Sequence, residues 1–192
     1  MEPIESGTLA GIGSFRCQSC RFVVSLAADD TLPTCPGCGG TEFERASLFA
    51  AREFTGRPWP DEPADDLGWI EEARAGIEEA GQYLAYRAAG DVTIFSLTER
   101  WTRIGRSLAA DIRFDDPTVS RRHALVVQQP DGVRVLDDRS LNGVFVNGER
   151  VEWSALADGD EVLVGCHSLR FLDVGDERSG AAGAESPAAA GA

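Results

Sequence analysis

Residues 111–124 read DIRFDDPTVSRRHA. The stretch opens on a short β-type run, turns through Asp115, Asp116 and Pro117, and closes on Ser120, Arg121, Arg122 and His123 before the apolar run ALVVQQ. A loop rich in cations between two short strands points to a sheet protein that carries its chemistry on its loops. In a chain of net charge −14, two adjacent arginines raise the question of which anion they face.

Outward from this stretch the same pattern repeats. YLAYR, VTIFSL, TRIGR, VRVLDD, VFV, ERVEW, EVLVG and SLRFLDV are short β-type runs separated by turn residues between residues 83 and 174. Pro130-Asp131-Gly132 and Asn147-Gly148 admit positive φ at small steric cost and signal hairpins. Many short strands joined by tight turns predict a mainly β protein, an antiparallel sandwich. Such a sandwich gathers three loops at one end: Gly105-Arg106, Ser120 to His123, and Asn142-Gly143.

The order GR, SxxH, NG, with DDRSLNGVFVNG, LADGDEVLVG and SLRF around it, resembles the forkhead-associated (FHA) domain family over residues 82–174. That resemblance implies an eleven-stranded β-sandwich that binds phosphothreonine peptides. It implies that Arg106 contacts the phosphate, Ser120 donates its hydroxyl to a phosphate oxygen, and Arg121 adds a second cation. Asn142 would hold the peptide main chain, and His123 would brace the binding loop, with Gly105 and Gly143 permitting tight backbone paths. The chemistry is consistent: a phosphothreonine carries about −1.5 to −2 charges and three acceptor oxygens, which a planar guanidinium meets two at a time. By alternation Arg122 points away from Arg121 as a solvated or structural residue. The family often has Ser or Thr before the NG pair and Thr after it, whereas Leu141 and Val144 stand here, so a side-chain hydrogen bond is lost.

A second motif lies upstream. FRCQSCRFVVSLAADDTLPTCPGCGG holds Cys17-x2-Cys20 and Cys35-x2-Cys38, two knuckles able to close four thiolates into a tetrahedron. Its CPGCG ending resembles the zinc-ribbon group, which implies a structural Zn2+ over residues 15–46. Iron also suits four thiolates, and the rubredoxin-like modules of rubrerythrins have similar spacing. Those modules usually accompany a di-iron helical bundle, and no paired Glu-x-x-His helices are present; Arg21 also replaces the Gly that commonly follows the first pair. Zinc is therefore the expected ion. Cys166 reads as an unpaired, buried, small apolar side chain, and His167 as a turn residue without a partner.

The rest is connective. Residues 1–14 read as a flexible lead-in, and 47–81 as an acidic Pro-rich linker followed by a helix from Asp65 to Gly81 on the spacing of Trp69, Ile70, Ala73 and Ile77. The Ala/Gly-rich tail, 175–192, reads as disordered.

Composition narrows the function. All eighteen basic residues are arginines, and acidic residues number 32, so the accumulated positive charge that nucleic-acid binding requires is missing. No apolar run is long enough to span a bilayer and no leader is visible, which predicts a cytoplasmic protein, bacterial by its Ala- and Gly-rich usage. Its two histidines form no Ser-His-Asp or Cys-His arrangement, which argues against an enzyme. The expected function is an adaptor in Ser/Thr-kinase signalling whose partner is a phosphothreonine-containing protein. An iron electron carrier with a β-sandwich docking part and a scaffold for unphosphorylated partners are the alternatives. Thr8, Thr41 and Thr55 are candidate sites for modification and self-capture.

Overall fold

The computed structural model describes residues 3–46, 68–88 and 90–175. The expected linker and tail fall almost wholly outside them, as does Thr55.

The N-terminal unit is a four-stranded antiparallel sheet built from β1 (Ile4–Glu5), β2 (Gly13–Cys17), β3 (Val23–Leu26) and β4 (Glu42–Arg45), in the order β1-β4-β2-β3. The expected lead-in is thus part of this sheet: Ile4 pairs with Phe43, and Leu32 donates its N–H to the Thr8 carbonyl at 2.9 Å. The segment contributes main-chain hydrogen bonds, which composition does not reveal.

A short helix, α1 (Gly68–Ala75), precedes the sandwich. It ends earlier than Gly81 because Gly76 follows Ala75, and glycine costs about 1 kcal/mol in a helix interior. Gly81 instead opens a strand.

The sandwich consists of β5 (Gly81–Ala88), β6 (Asp91–Ser96), β7 (Trp101–Gly105), β8 (Ile112–Arg113), β9 (Ala124–Gln129), β10 (Gly132–Asp137), β11 (Val144–Val146), β12 (Glu149–Val151), β13 (Trp153–Leu156), β14 (Glu161–Val164) and β15 (His167–Val174). They form a five-stranded sheet, β13-β10-β9-β7-β8, and a six-stranded sheet, β12-β11-β14-β15-β5-β6. Pairing is antiparallel except between β7 and β8, where Ile104 faces Ile112 in parallel. The run ERVEW divides into two strands: β12 pairs with β11 in one sheet and β13 with β10 in the other. Asn147 (φ 50°) and Gly148 (φ 83°) form the tight β11–β12 turn, both with the positive φ that a two-residue hairpin of matching twist demands.

Inward-facing Val126, Val135, Val144, Val162, Val164, Leu169 and Phe171 fill the space between the sheets. The outer face of the six-stranded sheet is covered at two places. Trp69 and Ala73 of α1 lie on Tyr83, Ala85 and Leu172. Phe145 and Leu163, directly opposite each other on β11 and β14, join one cluster with Phe15, Phe22, Val24 and Phe43 of the N-terminal unit. Burying a Phe or Leu side chain is worth roughly 1.5–3 kcal/mol, so this shared cluster fastens the two units together. Among the described residues no helix is long and apolar enough to cross a membrane.

Candidate functional site

Three loops meet at one end of the sandwich, and their hydrogen bonds explain why. Gly105 must be glycine, because a Cβ there would lie 2.4 Å from the Arg121 carbonyl oxygen. That closeness lets Arg106 N–H donate to Ser120 O at 2.9 Å and Ser107 N–H to Arg121 O at 3.2 Å, pinning the first loop along the second. His123, fully buried, accepts Ser120 N–H on Nδ1 at 3.0 Å and places Nε2 3.1 Å from the Gly143 carbonyl. These partners require the neutral tautomer with its proton on Nε2, and burial pushes the imidazole pKa down to about 4. Leu141 N–H donates to Ser120 Oγ at 3.0 Å, and Gly143 N–H to Ser140 Oγ at 2.8 Å, closing the third loop onto the second. Gly143 has φ of 94°, a conformation that favours glycine.

Arg106, Ser120 and Arg121 all line one cavity of about 710 Å³. Ser120 Oγ accepts from Leu141, so its hydroxyl hydrogen is directed by whatever acceptor enters. Arg122 lines the rim, with its guanidinium held on Asp138 at 2.5 and 2.7 Å. Arg139 and, from the N-terminal unit, Arg45 complete a ring of cations, with Asp138 the acidic residue among them. In a strongly acidic protein this concentration of guanidinium groups is a local excess of positive charge. Leu141 lines the cavity, whereas the side chain of Val144 lies in the sandwich core and takes no part.

Asn142 stands elsewhere. Only 1% exposed, it faces the main chain of Val23 in β3: Val23 N–H donates to Oδ1 at 2.8 Å, and Nδ2 donates to the Val23 carbonyl at 2.8 Å and to the Thr118 carbonyl at 3.2 Å. Two residues along β3, Ser25 N–H donates to Pro117 O at 2.7 Å, and Arg106 Nη1 donates to the Ser25 carbonyl at 2.7 Å. The outward edge of β3 therefore lies across the loop cluster in extended form, with Ser14, Ser25 and Arg45 forming the facing wall of the cavity.

Cys17, Cys20, Cys35 and Cys38 converge with all four sulfurs within 4.8 Å of one another. Cys17 to Cys38 measures 3.6 Å and Cys20 to Cys35 3.4 Å, close to the edge of roughly 3.8 Å for a tetrahedron of sulfurs bound at about 2.3 Å. Glycines make the room: a Cβ on Gly40 would meet Cys17 Sγ at 3.2 Å and Cys38 Sγ at 3.3 Å. Burial lifts the Cys20 thiol to about 11 and Cys35 higher still, so loading a cation must displace protons. Four soft ligands with no fifth position suit a structural divalent metal. Arg21, after the first knuckle, has φ of 70°, a left-handed conformation costly for a side chain.

Near the loops, His167 has partners that its neighbours in sequence do not announce. Its ring stacks on Phe114 with centroids 4.1 Å apart and lies 3.7 Å from Asp116 Oδ2. Burial alone would lower its pKa; Asp116 and Cys166 raise it to about 9. Cys166, expected to be buried, is half-buried, with Sγ 3.5 Å from Asp116 Oδ2.

Comparison with known proteins assigns both units. The FHA domain model matches residues 102–165, and the model of a zinc-ribbon containing domain matches residues 1–47. The glycogen accumulation regulator GarA of Mycobacterium tuberculosis is 46% identical over 78 residues, covering 41% of this chain and 48% of that protein. The oxoglutarate dehydrogenase inhibitor of Corynebacterium jeikeium is 44% identical over 79 residues, covering 41% and 55%. The FHA domain of a Chlamydia trachomatis protein superposes with a TM-score of 0.45 and 28% identity, over 48% of this chain and 96% of that one. The chain thus spans about half the length of these two curated relatives. This is a forkhead-associated domain protein with an N-terminal zinc-ribbon domain.

Sequence reading did not include Ser14, Ser25 and Arg45 in the site. A signal existed: VFV and the VLV of residues 162–164 are apolar without alternation, the mark of strands covered on both faces.

Proposed function

We propose that the sandwich reads phosphothreonine in a partner protein, and that the chain acts as a non-enzymatic adaptor in cytoplasmic Ser/Thr-kinase signalling. The observation that carries this reading is the meeting of Arg106, Ser120 and Arg121 on one cation-ringed cavity. A dianionic ester fits that wall: the guanidinium of Arg106 offers paired N–H donors, the hydroxyl of Ser120 adds a neutral donor, and Arg121 supplies further charge. His123, Gly105 and Gly143 hold the donors in place, and Asn142 supplies the amide that grips an extended main chain. Relatives named as a glycogen accumulation regulator and an oxoglutarate dehydrogenase inhibitor accord with a regulatory role.

The ribbon holds Zn2+ through Cys17, Cys20, Cys35 and Cys38 as a structural ion in this reading. The metal supplies the cross-link that a unit of this size needs to fold. Metal analysis of the purified protein tests it, with one zinc and no iron per chain expected.

Calorimetry with matched Thr and phosphothreonine peptides tests phosphate recognition. Binding that requires the phosphate, and that weakens by about 1.5–3 kcal/mol in Arg106→Ala, the scale of a charged hydrogen bond, is expected. Equal affinity for the two peptides would falsify the reading. Thr8 and Thr41 lie in the ribbon unit and remain candidates for modification; mass spectrometry after incubation with a kinase tests this.

A further inference from the structure

We propose that the ribbon's edge strand is a built-in, unphosphorylated competitor of the peptide ligand, so the closed protein must release the ribbon before a phosphopeptide main chain can seat on Asn142. The inference rests on the phosphopeptide reading above.

The geometry of β3 carries it. The strand is the last in its sheet, and through register Ser14 to Ser25 and Phe15 to Val24 it pairs with β2 on one side only. An unpaired strand edge presents main-chain N–H and C=O groups that seek partners. Here Asn142 takes both groups of Val23, Pro117 takes the Ser25 N–H, and Arg106 takes the Ser25 carbonyl. The sandwich loops thus treat β3 as they would treat any extended peptide, through groups every residue possesses. The buried amide of Asn142 spends its oxygen on Val23 and its nitrogen on Val23 and Thr118, so a second main chain has no place there until Val23 leaves. Phe145 and Leu163 hold the ribbon from behind.

β3 reads VVSL and contains no threonine. Arg106 spends one N–H on a neutral carbonyl, and the cavity beside Ser25 stays open to an anion. A phosphothreonine ligand therefore has an advantage that the ribbon lacks: it satisfies Arg106, Ser120 and Arg121 with charge. The ribbon sets a threshold, and the apparent affinity of any ligand falls by the fraction of molecules in the open form.

Two substitutions in the full chain open the contact without altering the proposed phosphate-binding residues. Ser25→Pro removes the N–H given to Pro117 at an edge position whose other side keeps its pairing. Leu163→Asp puts a charge into the shared apolar cluster. Hydrogen exchange should find the Val23 and Ser25 amides protected in the native protein, the Val23 amide released in both variants, and the Ser25 amide released in Leu163→Asp. Phosphothreonine-peptide affinity should rise at least about tenfold in each, and Arg106→Ala should abolish the gain. Equal affinities in native and Ser25→Pro protein, with both amides exchanging freely already in the native chain, would overturn the proposal while leaving phosphate recognition intact. If the released variants bind no phosphopeptide, the proposal falls together with the reading beneath it, and their freed amides distinguish that failure from the first.

Discussion

The ribbon and the sandwich solve the same problem by different means. The sandwich buries a continuous set of its own apolar side chains between two sheets. The ribbon surrounds Phe15, Phe22 and Phe43 with a four-stranded sheet of strands no longer than five residues, gathers four sulfurs, and completes its cluster with Phe145 and Leu163 borrowed from its neighbour. The difference teaches that docking is part of how the ribbon folds, and that the docked ribbon also supplies one wall of the cavity through Ser14, Ser25 and Arg45.

The largest effect that would separate the two units is removal of the metal. Structural zinc contributes about 10–16 kcal/mol of apparent binding free energy in small zinc modules, so chelation should unfold the ribbon. Amide exchange should then show lost protection throughout residues 13–45 with the sandwich strands still protected. Simultaneous loss in both would show that the sandwich has no separate stability.

Next comes His123, which lies at the centre of the sandwich's loop end and has no equivalent in the ribbon. His123→Ala leaves the Ser120 N–H and Gly143 carbonyl buried without partners, at about 1–3 kcal/mol each. Denaturant unfolding measures it. Because its folded pKa of about 4 lies below the unfolded value of about 6.5, the unfolded chain binds the extra proton between them. Stability from this residue is therefore full above about pH 6.5 and falls, by up to roughly 3 kcal/mol, as pH drops toward 4. His167 has the opposite sign: raised to about 9 by Asp116 and Cys166 against burial, its contribution is full below about 6.5 and lost as pH rises through 9. Unfolding free energy measured across pH should peak between the two losses, and the alkaline loss should shrink in Asp116→Asn, which leaves Cys166 beside the ring.

Gly105→Ala probes how tightly the first two loops must approach. Its Cβ would overlap the Arg121 carbonyl, and displacing that backbone costs about 1–3 kcal/mol, with phosphopeptide affinity expected to fall as Arg106 moves. The smallest effect is in the ribbon. Arg21→Gly removes a left-handed arginine at φ of 70° and should stabilise the metal-bound ribbon by about 1 kcal/mol, read from the midpoint of its thermal unfolding.

Much of this was legible before any coordinates. Short apolar runs and the Asn147-Gly148 turn announced the sandwich, and the loop order GR, SxxH, NG marked the three loops that meet at one end, although the Asn142 side chain turns away from the cavity toward Val23. The cysteine spacing announced the metal knuckles. What could not be read was the meeting of Asn142 with Val23, because that contact uses main-chain groups and leaves no side-chain signature. His167 was opaque for a related reason: its partners, Phe114 and Asp116, are some fifty residues away in sequence and reach it only through the loop packing beside Gly165. The splitting of ERVEW between two sheets was hidden because both halves share one β-type pattern.

Hydrogen exchange at the Val23 and Ser25 amides during titration of the intact protein with a phosphothreonine peptide is the most direct test of the account. Exchange at both positions should accelerate as the peptide saturates, while the unphosphorylated twin leaves them protected. Saturating phosphopeptide binding with both amides still protected would show that ligand and ribbon never compete for Asn142.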